Sequence, residues 1–257
     1  MTGKSRIAVV GGTGLLGRYV VGAVKAAGDE PVIAARSRGV DIITGVGLDA
    51  ALHGVDAVID VSNVTTLRRR TSVEFFAVAS RNLLAAGRRA NVRHHVALSI
   101  VGVDRVDSGY YAGKRAQEGV VLDGTWPATV LRATQFHEFA GQLLDRVPGP
   151  LAVIPKMLVQ PVAAREVAVA LVVLAAGEPH GLAPEMAGPE QHQLVDLARR
   201  VVRARGQRRL VLGVRPPGRA GRAAATGGGL LPTGPGPRGT VTFAEWLSRN
   251  EPAAAFR

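Results

Sequence analysis

The stretch of sequence that decides the fold lies near the start of the chain: Val9-Val10-Gly11-Gly12-Thr13-Gly14-Leu15-Leu16-Gly17. At a strand-to-helix turn, the first glycine permits a tight turn, the second lets the backbone approach a pyrophosphate, and the third lets the helix pack closely on the strand. The exposed N–H groups at the start of such a helix attract phosphate charge. The stretch therefore predicts a dinucleotide site, with an incidental glycine-rich turn as the alternative. The residues expected to contact the cofactor are Gly11, Thr13, Gly14, Leu15, Leu16 and Gly17.

The position that separates NADP(H) sites from NAD(H) sites follows roughly twenty residues later, where NAD sites place a carboxylate for the ribose 2′-hydroxyl. Here the second strand ends in Arg36, with Ser37 and Arg38 behind it. A guanidinium pairs with a 2′-phosphate through charge-assisted hydrogen bonds, and no acid is present to repel that phosphate. Arg36 therefore predicts NADP(H), with Ser37 and Arg38 as helpers. The alternative is a solvated arginine in an arginine-rich chain.

Outward from this turn, short β-branched runs alternate with helical stretches through the first half of the chain. This pattern is typical of an α/β protein with a doubly wound parallel sheet covered on both faces. Strands are expected near residues 7–10, 31–35, 41–43, 57–61, 95–100 and 128–132. Helices are expected near residues 15–27, 48–52, 72–90, 110–122, 163–176, 193–204 and 243–249.

The alternation loosens beyond residue 133, which suggests a second part of the chain. We expect a nucleotide-binding core over residues 1–132 and a smaller C-terminal substrate lobe over residues 133–257, partly interleaved with the core. Residues 216–239 are dense in glycine and proline and are expected to form an irregular loop. Such a loop is either an active-site lid or a mobile surface loop.

Three residues form a candidate catalytic group. Ser99 ends the strand expected over residues 95–100, and Tyr110 and Lys114 follow it on the next helix. Residues four apart share a helix face. An ammonium beside a phenol favours the phenolate, so we expect Lys114 to lower the pKa of Tyr110 and to prepare it for proton exchange near neutral pH. Ser99 could hydrogen-bond a substrate carbonyl oxygen. The alternative is a chance Tyr-x-x-x-Lys spacing.

With these residues in place, the sequence resembles the short-chain dehydrogenase/reductase superfamily, and within it the atypical NmrA-like branch. The resemblance covers nearly the whole chain. It rests on the glycine turn, on the Tyr110 and Lys114 pair, and on four further segments: VIDVSN at 58–63, ALSIVGV at 97–103, VLRATQFHEF at 130–139 and AGPE at 187–190.

The resemblance implies a Rossmann core, bound NADP(H), a catalytic Tyr and Lys, and a Ser that polarises the substrate. Lys114 would also contact the cofactor ribose, and Ser99 would lie beside the nicotinamide. Two segments after strand ends would contact the cofactor: Val61, Ser62 and Asn63 on the ribose side, and Ala133, Thr134, Gln135 and Phe136 near the nicotinamide. The Asn-Asn-Ala-Gly segment of typical members is absent, and Gly45-Val46 replaces the Gly-Asp that often follows the third strand.

Several other polar residues have both a functional and a structural interpretation. His137 and Glu138 follow the sixth expected strand and are candidate substrate contacts, as is Tyr111. His94 and His95 begin a strand, at the wrong end of the sheet for chemistry, so a structural role is favoured. Asp60 lies in a buried strand and is expected to satisfy neighbouring backbone or His groups. Arg68 to Arg70 are read as a solvated charge run, with an anionic substrate as the alternative.

Composition limits the partners. The net charge is +12, but the arginines are scattered and only 4% of residues are aromatic, which argues against nucleic acid as a partner. No apolar run reaches the ~18 residues of a membrane span, and the first residues leave no room for a signal peptide. With no cysteine and no metal-binding His spacing, no metal is expected. We expect a cytoplasmic protein with a small-molecule substrate, either monomer or homodimer.

Three functions fit these features. The first is an NADP(H)-dependent short-chain oxidoreductase that transfers hydride between nicotinamide and a carbonyl or alcohol substrate, with Tyr110 as the proton donor or acceptor. The second is a non-catalytic NmrA-like NADP(H) sensor, which needs the glycine turn but not the tyrosine. The third is an epimerase or dehydratase with an internal redox cycle. Fold alone does not separate them, because function depends on the site.

Overall fold

The computed structural model describes residues 4–66, 68–123, 126–215, 218–225 and 228–249. In chain order the strands are β1 Arg6–Val10, β2 Glu30–Ala34, β3 Ala57–Asp60, β4 His94–Ile100, β5 Ala128–Ala133, β6 Leu151–Pro155, β7 Leu158–Val159, β8 Gly181–Leu182, β9 His192–Gln193 and β10 Leu210–Val214. The helices are α1 Leu15–Ala26, α2 Leu48–Leu52, α3 Arg69–Arg89, α4 Gly109–Val121, α5 Phe139–Asp145, α6 Ala164–Ala176, α7 Leu194–Ala204, α8 Gly218–Ala225 and α9 Phe243–Ser248. A short 3₁₀ turn covers Arg36–Arg38.

The chain divides into two compact units. The first takes its described residues from Met1–Val103, Ser108–Arg132 and Ala164–Pro184, and the second from Asp104–Asp107, Ala133–Ala163 and Glu185–Arg257. Residues 164–184, assigned to the C-terminal lobe from sequence, therefore lie in the first unit. The reason is visible in their contacts: α6 packs against α1, and β8 pairs with β5.

The first unit is built on a six-stranded sheet in the order β2-β1-β3-β4-β5-β8. The pairs β1–β2, β1–β3, β3–β4 and β5–β8 are parallel. The side chains of β1 and β3 are almost wholly buried, as expected for strands covered on both faces. Ala8, Val10 and Val58 pack with residues of α2 and α3 such as Leu48 and Leu83. This is the predicted α/β fold with a Rossmann-like doubly wound sheet.

Strand order locates the crevice in which open α/β sheets bind ligands. The chain moves from β1 to β2 on one side and then returns to β3 on the other side of β1, so the order reverses between β1 and β3. Ligands of such sheets bind beyond the carboxyl ends of the strands at this switch point. Here those ends are Val10 and Asp60, which pair in register.

One predicted strand is wrong. Residues 41–43 form a turn instead of a strand, because the Asp41 carboxylate accepts hydrogen bonds from the backbone N–H of Ile43 at 2.7 Å and of Thr44 at 3.3 Å. The backbone N–H of Gly45 also donates to the Asp41 carbonyl, and Gly45 has a φ of 82°. A short polar side chain that binds nearby backbone competes with strand pairing.

The second unit contains two small sheets and the remaining helices. β6 pairs with β10 in parallel, and β7 pairs with β9 in antiparallel fashion. α7 buries one face, with Leu194, Leu197, Ala198, Val201 and Val202 at helical spacing. α9 begins at a capping box in which Thr242 and Glu245 satisfy each other's backbone N–H groups.

The predicted irregular loop over residues 216–239 is wrong in part. Residues 218–225 form helix α8, which the alanines and arginines of this segment favour. Pro216, Pro217, Thr226 and Gly227 lie outside the described residues. Within the described ranges, no helix combines the length and apolar character needed to cross a bilayer.

Candidate dinucleotide and catalytic site

The glycine turn joins β1 to α1 in the geometry that the sequence predicts. Gly11 has a φ of 80°, a region that favours glycine, and the N–H of Gly14 donates to the Gly11 carbonyl at 2.9 Å. A Cβ at Gly17 would lie 2.1 Å from the Gly11 carbonyl oxygen. Only glycine fits there, because the first turn of α1 lies directly on the loop.

The start of α1 has no side-chain cap. Gly14 occupies the N-cap position, and Thr13 and Gly14 are exposed while Leu16 is buried. The first N–H groups of a helix have no partner within the helix, so an uncapped N-terminus beside a glycine turn is suited to bind phosphate. The Arg18 guanidinium donates to the Thr13 carbonyl at 3.1 Å and holds the loop from outside.

Ser62 meets the glycine turn from the neighbouring strand. A Cβ at Gly11 would lie 3.1 Å from the Cα of Ser62, so the two backbones are in contact. The N–H of Ser62 donates to Asp60 Oδ1 at 2.9 Å, while its buried Oγ has no hydrogen-bond partner in the described part of the chain. Val61 is half-buried and Asn63 is exposed. The predicted segments after β1 and β3 thus lie together at the switch point.

Arg36, Ser37 and Arg38 form the 3₁₀ turn directly after β2, next to β1 in the sheet. All three are exposed. Neither guanidinium makes a hydrogen bond or ion pair with the described residues of the chain. Both are therefore accessible to an anionic ligand at this edge.

Ser99 lies near the carboxyl end of β4 and is 4% exposed. Its Oγ makes no hydrogen bond with any described residue. Buried hydroxyls in proteins are nearly always paired, so the Ser99 hydroxyl is free to bind a ligand or a water molecule. This is the second such hydroxyl, after Ser62, at the carboxyl edge of neighbouring strands.

Tyr110 and Tyr111 lie in the first turn of α4. Tyr110 is half-buried, and its ring packs edge-on against Phe76 and Tyr111 at centroid distances of 5.9 and 6.1 Å. Burial, assisted by Tyr111, raises the pKa of Tyr110 above its usual range. The expectation that Lys114 lowers this pKa is wrong. Tyr111 is buried, consistent with packing.

Lys114 is buried among other partners. Its Nζ donates to the Leu98 carbonyl at 3.0 Å and to Gln117 Oε1 at 2.9 Å, and it lies 4.3 Å from the centroid of the Phe76 ring. Burial lowers the pKa of Lys114 to about 8, while Asp60 and Glu118 act in the opposite direction. No hydrogen bond joins this ammonium to the Tyr110 hydroxyl in the described structure. The contact with Leu98 instead fixes the backbone next to Ser99.

The predicted nicotinamide segment, Ala133 to Phe136, belongs to the second unit. The Thr134 hydroxyl donates to the Gln160 carbonyl at 2.6 Å, and its N–H donates to the Met186 carbonyl at 3.0 Å. Ala133 and Gln135 are buried and Phe136 is half-buried. Ala133 and Phe136 also form β-bridges with residues of the same unit, so the segment is held within that unit.

His137 and Glu138, the candidate substrate residues, are 1% and 3% exposed. His137 Nε2 lies 2.9 Å from the Val241 carbonyl oxygen, and its ring packs with Phe243 and Trp246. Glu138 precedes α5 as its N-cap residue. These positions favour a role in packing of the second unit over contact with a substrate.

Comparisons with known proteins agree with this geometry. No family model matches the chain. A curated relative, the (4-alkanoyl-5-oxo-2,5-dihydrofuran-3-yl)methyl phosphate reductase of Streptomyces griseus subsp. griseus, is 32% identical over 157 residues, which make up 56% of this chain and 51% of the relative. The match therefore spans about half the length of that relative.

Solved structures show the fold. A short-chain dehydrogenase/reductase superfamily protein from Agrobacterium tumefaciens with bound NAD superposes with a TM-score of 0.69 over 95% of both chains, at 17% identity. The chain has the short-chain dehydrogenase/reductase fold. An NADPH-dependent quinone oxidoreductase from Escherichia coli has a TM-score of 0.65 at 18% identity, over 95% of this chain and 98% of that one. UDP-N-acetylglucosamine 4-epimerase from Bacillus cereus has a TM-score of 0.66 at 22% identity, over 82% and 85%.

Within this short-chain dehydrogenase/reductase fold, sequence reasoning missed one residue that contacts the candidate catalytic group. Gln117 accepts from Lys114 and donates through Nε2 to Asp60 Oδ2 at 3.0 Å, so it links the two charges. Asp60, predicted to satisfy neighbouring backbone, does so at Ser62. The helical spacing of Gln117 from Lys114, three residues on the same face, is the signal that could have found it.

His94 and His95, at the amino end of β4, are buried, as expected for a structural role. His94 Nε2 lies 2.9 Å from the Thr129 hydroxyl, and burial lowers the pKa of His94. Burial also lowers the pKa of His95, against the opposing effect of Asp60.

Arg68 to Arg70 are exposed at the start of α3. Among the described residues, no group of three or more His, Asp or Glu side chains is placed to hold a metal ion.

The residues present fit a dinucleotide. The loop leaves no space for a side chain at Gly17, the helix start is uncapped, and the unpartnered hydroxyls of Ser62 and Ser99 lie on neighbouring strands at the same sheet edge. A phosphate, a ribose or a carbonyl oxygen can satisfy each of these groups.

Proposed function

We propose that this chain is an NADP(H)-dependent oxidoreductase of the short-chain type that interconverts a carbonyl compound and an alcohol, and that it belongs to the NmrA-like branch. The observation that carries the proposal is the buried Ser99 hydroxyl near the carboxyl end of β4, which makes no hydrogen bond with a described residue. It lies in the same unit as an uncapped glycine turn and a half-buried tyrosine.

Cofactor binding is assigned to the edge formed by β2, β1 and β3. The N-terminus of α1 and the turn from Gly11 to Gly17 would hold the pyrophosphate, and Ser62 would contact the ribose side. Arg36 would pair with the 2′-phosphate because it is exposed at the end of β2 and makes no bond to another described residue. The bound cofactor would supply the hydride that is transferred to or from the substrate carbon.

Substrate orientation is assigned to Ser99. A hydroxyl without a protein partner can donate to a substrate carbonyl oxygen and hold it at a fixed position. The Lys114 ammonium supports this arrangement through the Leu98 carbonyl, one residue before Ser99, at 3.0 Å. Lys114 is thus proposed as a positioning residue for the end of β4.

Proton transfer is assigned to Tyr110. Burial raises the pKa of its phenol, so the group is protonated at neutral pH and serves as a proton donor. In the reductive direction the substrate carbon receives hydride and the carbonyl oxygen receives the phenolic proton. The phenolate that remains at Tyr110 must then regain a proton from solvent.

The curated relative supports the reductive direction and suggests a substrate class. Its name describes a reductase that acts on a methyl phosphate ester with an alkanoyl and a lactone carbonyl. We therefore propose that small carbonyl compounds bearing a phosphate are the first candidates to test on this chain.

The test is NADPH oxidation by the full chain against aldehydes, ketones, quinones and phosphorylated carbonyl compounds. Tyr110→Phe should lower turnover by roughly 10²- to 10⁴-fold, the range for loss of a general acid, with NADPH affinity nearly unchanged. Tyr111→Phe is the matched control because it removes the same hydroxyl from the adjacent ring. Full turnover in Tyr110→Phe with loss in Tyr111→Phe would assign the chemistry to the other tyrosine, and NADPH binding without any turnover would favour the sensor.

A further inference from the structure

The second unit contains a positively charged cavity that the proposed chemistry does not use. It has a volume of about 670 Å³, and its described lining includes the cationic side chains Lys156, Arg199, Arg215 and Arg222 and the acidic side chain of Asp196. We call it the basic cleft. Small-molecule pockets typically measure about 300–1,000 Å³, so the basic cleft has the size of a metabolite site.

The small sheet of the second unit shapes one wall of the basic cleft. β10 pairs in register with β6, and the backbone N–H of Lys156 donates to the Val214 carbonyl at 2.7 Å where the pairing ends. A Cβ at Gly213 would lie 3.1 Å from Lys156 Cε and 3.0 Å from Val195 Cγ2. The absence of a side chain at Gly213 therefore lets the Lys156 stem lie across β10, on the side of the cleft.

Helix α7 supplies the second wall with an oriented guanidinium. Arg199 donates to Asp196 Oδ1 at 3.0 Å, one turn earlier on the same helix, and to the Val211 carbonyl of β10 at 3.4 Å. These bonds fix the plane of the guanidinium. A guanidinium held in this way is prepared for bidentate contact with an oxyanion, since less side-chain freedom is lost on binding.

Two cations of the basic cleft have no partner among the described residues. The carboxylate of Asp196 is shared with Arg199, and the side chains of Lys156 and Arg215 make no hydrogen bond or ion pair with other described residues. Cationic side chains gathered in one concave site repel one another and create a positive potential. A ligand with two or more negative charges would relieve this repulsion.

We propose that the basic cleft binds a small molecule that carries a phosphate group. This inference goes beyond the proposed function and does not depend on it. The site is separate in residues from the cofactor turn, because Arg36 and the glycines belong to the first unit and all lining residues belong to the second. A concave cavity of this volume fits a phosphate ester better than a nucleic acid duplex.

The test compares two double variants of the full chain by calorimetric titration with inorganic phosphate and with dihydroxyacetone phosphate. Lys156→Met with Arg215→Gln removes two cations that line the cleft, and both side chains are exposed without partners, so folding should be unaffected. Arg203→Gln with Arg208→Gln removes two exposed cations of the same unit that do not line it. The cleft variant should bind both ligands about tenfold or more weakly, as expected for lost charge-assisted bonds, while the control variant should bind them like the wild type.

NADPH titrations separate this inference from the proposed function. The cleft variant should bind NADPH normally, and Arg36→Ala should bind phosphate normally. Equal loss of phosphate binding in the two double variants, or no phosphate binding to a protein that binds NADPH, would overturn the inference. Cleft-dependent phosphate binding without turnover of any carbonyl compound would leave the site standing and contradict the reductase. Binding of duplex DNA that depends on Lys156 and Arg215, without binding of either small ligand, would assign the cleft to nucleic acid and also overturn it.

Discussion

The Nζ of Lys114 lies 2.9 Å from Oε1 of Gln117, one turn further along the same helix. The amide of Gln117 then donates to the buried carboxylate of Asp60. The Lys114 ammonium and this carboxylate are therefore joined by hydrogen bonds through a neutral side chain. An ammonium in such a position is held by hydrogen bonds, but it lacks the direct carboxylate that would offset its burial.

Lys114 should make the stability of the protein depend on alkaline pH. Its pKa falls from 10.5 to about 8 in the folded state. Between these values the folded protein binds fewer protons than the unfolded chain, so the free energy of unfolding rises with pH in this window. Below pH 8 the destabilising effect of the buried charge is fully present. Urea unfolding of the wild type against Lys114→Met should show the wild type gaining relative stability from pH 8 to 10.5.

The control for this prediction is Lys25→Met, which removes an exposed ammonium near the end of α1. Its unfolding free energy should follow the wild type across the same pH window. Parallel pH dependence in the wild type and Lys114→Met would contradict the prediction.

Arg36 should determine the choice of cofactor. Arg36→Ala should weaken NADPH binding by about tenfold or more and leave NADH binding nearly unchanged, because only NADPH carries a 2′-phosphate for the guanidinium to bind. Dissociation constants for both nucleotides, from fluorescence titration, give the ratio. Arg81→Ala, an exposed arginine on α3, is the matched control. An unchanged ratio in Arg36→Ala would remove this residue as the phosphate ligand.

Two glycines of α1 should respond in opposite ways to the same substitution. Gly17→Ala places a Cβ 2.1 Å from the Gly11 carbonyl oxygen, so the turn must open and nucleotide affinity should be lost. Gly22→Ala meets no atom within 4 Å and should stabilise the helix by about 0.5–1 kcal/mol. Thermal unfolding and NADPH titration of both variants check the pair. Tight nucleotide binding by Gly17→Ala would mean that the helix does not rest on the loop.

Loss of one partner of the buried Glu118–Arg132 ion pair should destabilise the protein more than replacement of both partners. The two side chains are 9% and 13% exposed and share bonds of 2.9 and 2.7 Å. Arg132→Met leaves Glu118 buried without its partner and should cost about 3–5 kcal/mol. The double variant Glu118→Leu with Arg132→Met should recover much of that loss.

The pair of Arg89 and Asp49 provides the comparison, since it lies on the surface with a closest contact of 2.6 Å. Arg89→Met should cost about 0.2–1 kcal/mol in the same denaturant experiment, because water screens an exposed pair. Equal losses at the two sites would show that burial does not govern the first pair.

The central strands and the glycine turn could be predicted from sequence because their signals are local. The apolar run at Ile7 to Val10 reads as a buried strand, and the glycine spacing after it needs no distant contact to be recognised. The wrong strand prediction at residues 41–43 also has a local cause. The Asp41 side chain binds nearby backbone N–H groups, and hydrophobic periodicity does not reveal such a bond.

The surroundings of the candidate catalytic group could be predicted only in part. Helical spacing places Tyr110, Lys114 and Gln117 near one another, but it does not say which way the lysine side chain turns. In the structure its ammonium contacts Leu98 on β4, and this contact depends on how α4 packs against the sheet. The same holds for His137, whose partners Val241 and Phe243 lie more than a hundred residues later.

The return of residues 164–184 to the first unit has a consequence for how such chains diverge and recombine. Because α6 packs against α1 and β8 extends the main sheet, a crossover between two genes after residue 132 would join a nucleotide-binding unit to a helix and strand selected for another partner. A cut at residue 132 therefore does not separate the two units. We expect chimaeras to fold only when residues 164–184 come from the same parent as the glycine turn.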